Sequence, residues 1–246
     1  MSTLAKLTGA ETRLFLREPV AVLFTLAFPS VLIGILGSVR SFREPSKELG
    51  GVRVIDLYVT ISVALVLAML ALQVTPTVLA GYREKGILRR LSTTPVHPAT
   101  LLAAQLATSL MTALVAGALV LGIGRFAFAV PVPRQFVGFL VSFLLTAVAL
   151  FAVGLLIAAV APSGRAGSAI GTVLFFPVMF FAGLWVPREA MPALLRRIGD
   201  FTPLGAGEQA LHDAATGSWP HTGQVAVLAA YVVVCGLAAA RLFRWE

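Results

Sequence analysis

Six stretches of mostly apolar residues, each near the roughly 20 needed to cross the hydrocarbon layer as a helix, dominate this chain. They lie at about 20–39, 55–80, 100–121, 136–161, 168–186 and 224–240. Between their end caps they hold no Asp, Glu, Lys, Arg or His, and Asp56 stands only at the start of the second. No water reaches the bilayer centre, so each such segment must satisfy its own backbone, which selects the helix. The expected fold is an all-α integral membrane protein with six transmembrane helices, forming a single transmembrane domain over 1–246. Composition agrees: 58% of the 246 residues are hydrophobic and 12% charged, against about 25% charged in an ordinary soluble domain. The first stretch does not read as a secretory leader. Its apolar run exceeds the roughly 7–15 residues of a signal core, it contains Pro29, and five further spans come after it.

A net charge of +8 could suggest nucleic acid, but the basic residues sit in short loops between spans, where they act on the membrane surface. They do not orient the chain. With both termini inside, Lys6, Arg13, Arg17, Arg83, Lys85, Arg89, Arg90, Arg165, Arg241 and Arg244 fall on the inner side. The remaining nine of 19 fall outside: Arg40, Arg43, Lys47, Arg53, Arg125, Arg134, Arg188, Arg196 and Arg197. Ten against nine is no decision under the positive-inside rule. The single cysteine, Cys235, lies in an apolar run and supports neither a disulfide framework nor a metal cluster. His212, Asp213 and His221 are too loosely spaced for a metal site and read as a solvated loop.

Bare spans argue against ion coupling, which needs intramembrane ionisable groups. The third span carries one polar face: Gln105, Ser109 and Thr112, continued by Ala116. Such a stripe either lines a substrate path or lets helices approach and hydrogen-bond. Pro29, Pro76 and Pro177 predict kinks or broken ends in three spans. Residues 1–19 read as an amphipathic helix lying in the membrane interface, with a disordered leader as the alternative. Lys6, Arg13 and Arg17 form its basic stripe, while Glu11 and Glu18 intrude among Leu4, Leu7, Leu14 and Phe15. After the fifth span, Met191, Leu194, Leu195 and Ile198 recur at helical spacing, with Pro187 placed to open the helix. A second short helix is expected around Glu208 to Ala215. Both are too short to span and are expected to lie in or dip into the interface.

The segment "GYREKGILRRLSTTPVHPATLL" (81–102) is too charged for lipid and too short for a domain. A helix from Arg83 to Leu91 would gather Ile87, Leu88 and Leu91 on one side, with Arg83, Lys85, Arg89 and Arg90 around the rest. Glu84 would then sit on the apolar side and need a basic or backbone N–H partner. Pro95 and Pro98 end the helix, and Thr100 can cap the next. A solvated loop anchored by its basic residues is the other reading.

"GYREKGILRRLSTTPVHPATLLAAQL" resembles the hallmark stretch of the ABC-2 transporter permease family, where an acidic residue and a glycine precede a basic helix, a Thr-Pro and the next span. "FPVMFFAGLWVPREAMPALLRRIGDFTPLGAGEQALHDAATG" (176–217) is similar to that family's fifth span, turn, re-entrant helices and Pro-Leu element. The "REP" of Arg17 to Pro19 looks like its start, so the resemblance covers essentially the whole chain. It implies a permease that pairs with a second permease, the same or a different chain, each resting on a cytoplasmic ATPase subunit. It further implies cytoplasmic termini and a coupling helix between spans two and three, through which Arg83, Glu84, Lys85, Gly86, Arg89 and Arg90 would face the ATPase.

The chain has no phosphate loop of its own. Gly81 and Gly86 have the right separation, but Ile87 and Leu88 stand where Lys and Ser/Thr are required. ATP and magnesium therefore belong to the partner, and this chain is expected to be no enzyme and to bind no cofactor. An intramembrane serine protease is disfavoured too, since Ser163-Gly164 follows proline and no span holds His. Nothing resembles the loop of binding-protein-dependent importers, which favours export. Uncharged spans suit a hydrophobic or amphipathic cargo such as a drug, antibiotic or lipid. The competing function is an ATP-independent facilitator, lipid scramblase or secondary multidrug carrier.

Overall fold

The computed structural model describes residues 3–47, 51–92 and 98–243. Its helices are α1 (Thr3–Leu16), α2 (Pro19–Ser38), α3 (Val54–Glu84), α4 (Ile87–Ser92), α5 (Pro98–Phe128), α6 (Phe136–Val160), α7 (Gly164–Phe181), α8 (Ala193–Asp200), α9 (Pro203–Thr216) and α10 (Thr222–Leu242). Six of them, α2, α3, α5, α6, α7 and α10, are long and apolar enough to cross a membrane, and no strand occurs among the described residues. The all-α, six-span fold is the one expected from the sequence. The bounds differ where local chemistry rules. The second span runs on to Glu84 and the third to Phe128, and the fifth occupies Gly164–Phe181. That fifth helix starts early because Ser163 caps it, accepting from the Ala166 N–H at 3.1 Å. It stops early because Gly183 turns left-handed at φ +90°.

Helix α3 is the central post. Of its apolar window 83% is buried, against 22% for α2, 28% for α7 and 17% for α10. Leu65, Leu67, Leu70 and Leu72 are enclosed by the surrounding helices. None of the three span prolines breaks its helix: Pro177 lies inside α7, and Pro29 and Pro76 are met by local rewinding. π-helical turns precede Pro29 (Leu23–Ala27) and Pro76 (Met69–Val74), and the helix then continues. A proline ring clashes with the carbonyl four residues back, and the wider turn moves that carbonyl aside. In α3 the Thr75 hydroxyl donates at 2.8 Å to the Leu70 carbonyl, which also accepts the Thr75 N–H. Neighbouring helices press glycine against the same segment. A Cβ on Gly171 of α7 would overlap the Leu72 carbonyl oxygen, and one on Gly154 of α6 would overlap that of Ala71. Spans α6 and α7 therefore meet α3 backbone to backbone around its π-turn.

The two ends of the bundle differ. At one end, Leu79, Leu88, Leu101, Ala158, Ala159 and Phe243 form a small cluster joining α3, α4, α5, α6 and the end of α10. At the other, Arg53 and Asp56 pair at 2.6 Å and 2.9 Å, so the carboxylate at the start of the second span is matched by a guanidinium. Helix α9 enters the bundle from that end, with Leu204 and Leu211 fully buried against α3 and α6, whereas α8 leaves Leu194 and Ile198 exposed. Pro187 does not open α8. It precedes a short 3-10 turn (Arg188–Ala190), and Pro192 opens the helix instead. The Arg188 guanidinium binds Asp200 at 2.5 Å, tying this turn to the last residue of α8.

Candidate functional site

The segment 81–92 sits where α3 gives way to α4. A single helix from Arg83 to Leu91 does not form. Gly86 takes φ +66°, a left-handed conformation that costs a Cβ-bearing residue about 1–2 kcal/mol, and its N–H closes the turn on the Arg83 carbonyl at 2.9 Å. Arg83 and Glu84 thus belong to the last turn of the second span, and only Ile87–Ser92 forms the separate helix. Leu88 anchors α4 in the end cluster with complete burial.

Arg83 and Glu84 act on one place from adjacent positions. The Arg83 guanidinium donates to the Ala159 carbonyl at 2.9 Å and also to the Ala161 carbonyl, at the C-terminal end of α6. The Glu84 carboxylate accepts from the Gly164 N–H at 3.0 Å, at the first residue of α7. Each charge meets the helix terminus that suits it: a cation on exposed carbonyls, an anion on exposed amides. Together they fasten the end of α3 to the turn joining α6 and α7, some 76 to 80 residues along the chain. Glu84 is exposed at the end of the second span rather than covered on an apolar side, and the backbone N–H it takes belongs to a different span. Lys85 and Arg90 lie on the exposed surface beside this attachment. The Arg89 side chain falls outside the described residues.

Helix α1 lies against the same end. Its inward face is the part of the apolar side that Glu11 shares with Phe15: Glu11 is 6% exposed and Phe15 packs on the core, while Leu4 and Leu14 stay exposed. The Tyr82 hydroxyl donates to both Glu11 oxygens, at 3.0 and 2.8 Å, and the Thr108 hydroxyl reaches the Thr8 carbonyl at 3.4 Å. Burial pushes the Glu11 carboxyl above the ordinary carboxylate value, and the Tyr82 hydrogen bond offsets part of that rise. Sequence reasoning does not single this residue out. Its sole signal there is an acid on the wrong side of an amphipathic helix.

Of the third-span stripe, Gln105 and Ser109 are buried, whereas Thr112 is half-buried and donates to the Thr108 carbonyl of its own helix at 2.9 Å. Gln105 faces a groove that also takes in Glu11. The structure thus joins Gln105 to the α1 contact, and leaves Thr112 at its own backbone. At the far end Asp213 accepts from the Gln224 amide at 2.6 Å and stands 3.8 Å from the His221 ring.

A comparison with curated proteins returned no match. The family model described as ABC-2 type transporter matches residues 4–214, a range that takes in α1, five of the six spans, the α3–α4 junction and nearly all of α9. By that match, and in keeping with its six apolar helices, the chain belongs to the ABC-2 type transporter family.

Proposed function

We propose that this chain is the permease of an ATP-driven exporter for a hydrophobic or amphipathic cargo, with ATP and magnesium held by a separate cytoplasmic ATPase. In this reading two permeases pair, both termini are cytoplasmic, and α4 rests on the ATPase. Lys85, Arg89 and Arg90 make the outward contact, with Gly86 as the bend. Arg83 and Glu84 pass the displacement inward. The observation that carries the reading is the attachment of Arg83 and Glu84 to the α6–α7 turn. A push on α4 would move the end of α3, and through those bonds the first turn of α7. The family match supports a transporter, and the failed phosphate loop at Gly81–Leu88 favours an energy source in another chain.

The test is a mild-detergent pull-down of the tagged chain from its native membrane. A stoichiometric partner with a phosphate-loop sequence, weakened by Arg90→Glu, is the expected result. A folded chain with no ATPase in several detergents would overturn the reading in favour of a facilitator or scramblase.

A further inference from the structure

The spans carry no Asp, Glu, Lys, Arg or His in their interior, but α1 brings a carboxyl group to them. Glu11 reaches a groove of about 530 Å³ between α1, α2, α3, α5 and α7. Along α3 the groove runs from Lys85 and Tyr82 to Gln73, nine residues before Tyr82, a rise of about 13 Å into the bundle. Glu18 lines it too, and Phe15, Val74 and Val78 add apolar walls.

Two observations point to an occupant. Glu11 is nearly buried, and its only polar partner among the described residues is the neutral Tyr82 hydroxyl. A buried carboxylate without a counter-charge is costly. Independently, Gln105 is 4% exposed, makes no hydrogen bond among the described residues, and lines the groove. Glu11 and Gln105 line the same space, where an occupant can take the hydrogen bonds of the Gln105 amide. Lys85 lies at the groove's end and makes no ion pair with Glu11 among the described residues. With Glu11 and Glu18 against Lys85, the groove is net acidic in a chain of net charge +8.

We propose that this groove binds an amphipathic cation, its protonated amine on Glu11, its hydrogen-bonding groups on Gln105 and Ser168, and its apolar body along Phe15, Val74 and Val78. The assignment names a cargo class for the exporter reading and rests on that reading for any movement of the cation after it binds. The ammonium can come from a soluble amphipathic amine or from an ethanolamine lipid headgroup.

Binding is measured without ATP, on the full chain in discs of phosphatidylcholine and phosphatidylglycerol, by fluorescence of a dansyl-labelled aminooctane. Its carboxylate-ended analogue serves as the control. The amine probe is expected to bind and the carboxylate probe not. Glu11→Gln, which keeps an acceptor for Tyr82, should weaken the amine probe about tenfold, the scale of one charge-assisted hydrogen bond. Gln105→Leu, on another helix, should weaken it severalfold. Competition by phosphatidylethanolamine added to the discs assigns the site to the lipid headgroup, and absence of competition assigns it to the soluble amine. Equal binding of the two probes by the unmodified chain, or an unchanged amine affinity in both variants, would overturn the proposal. Such a failure is separable from failure of the exporter reading, because a phosphate-loop partner is recovered or lost in the pull-down regardless of this groove.

Discussion

Glu84 caps a helix to which it does not belong. A cap of this kind contributes about 0.5–2 kcal/mol, and its charge adds a favourable interaction with the α7 dipole. Glu84→Ala removes both; Glu84→Gln keeps an acceptor oxygen for the Gly164 N–H and removes only the charge. In reconstituted vesicles Glu84→Ala is expected to lower cargo moved per ATP hydrolysed severalfold while the complex still assembles, with Glu84→Gln in between. A merely structural cap would lower yield and leave that ratio alone. An unchanged ratio in both variants would remove Glu84 from the mechanism. At this scale the sequence offered a basic or backbone N–H partner for Glu84 on the grounds of a helix that does not form, and the partner itself was not legible. Gly164 lies 80 residues away and nothing local encodes that meeting. Glu11 escapes a sequence reading for the opposite reason. Helix periodicity assigns faces by apolar residues, and here the docked face carries the acid.

Among elements, the spans were legible because length and apolarity alone decide them. Their ends were less so, because capping and turn geometry decide those. Gly86 shows the difference: periodicity runs a helix straight through it, and its left-handed φ of +66° splits the segment and hands Arg83 and Glu84 to α3. Docking of α1 carries its own expectation. The docked Glu11 has a raised carboxyl value, so the docked state holds its proton more firmly than the undocked one. Docking is then strongest below the undocked value, close to 4.5, and weakens as pH rises through the docked value. Tyr82 faces Glu11 from α3, and Lys85 and Glu18 share its groove. A spin label at Lys6→Cys, with Cys235→Ser, should gain mobility between acidic and neutral pH, and Glu11→Gln should abolish that change. Mobility that rises with pH in both proteins would place the titration elsewhere.

For the whole molecule, six spans place the two ends of the chain on one side, and the residues carrying that conclusion are the apolar ones. Charge could not say which side, at ten basic residues against nine. A reporter fused after Glu246 is expected to read as cytoplasmic. An external reading would overturn the exporter proposal, since α4 would then face away from any cytosolic ATPase. The distribution of burial was also invisible in sequence. The second and fourth stretches look as apolar as the others, yet α3 is enclosed while α2, α7 and α10 keep most of their surface outward. Hydropathy records what a helix can bury in and does not say whether lipid or protein will do it.

The double attachment of Arg83 and Glu84 bears on how such permeases can be recombined. A hybrid that takes residues 81–92 from a relative receives a cation and an anion whose seats, at Ala159, Ala161 and Gly164, stay behind in the recipient. The smallest exchangeable unit is discontinuous: the α3–α4 junction together with the α6–α7 turn. If the proposed coupling holds, swapping one half alone is expected to give a protein that inserts and binds its ATPase, yet idles.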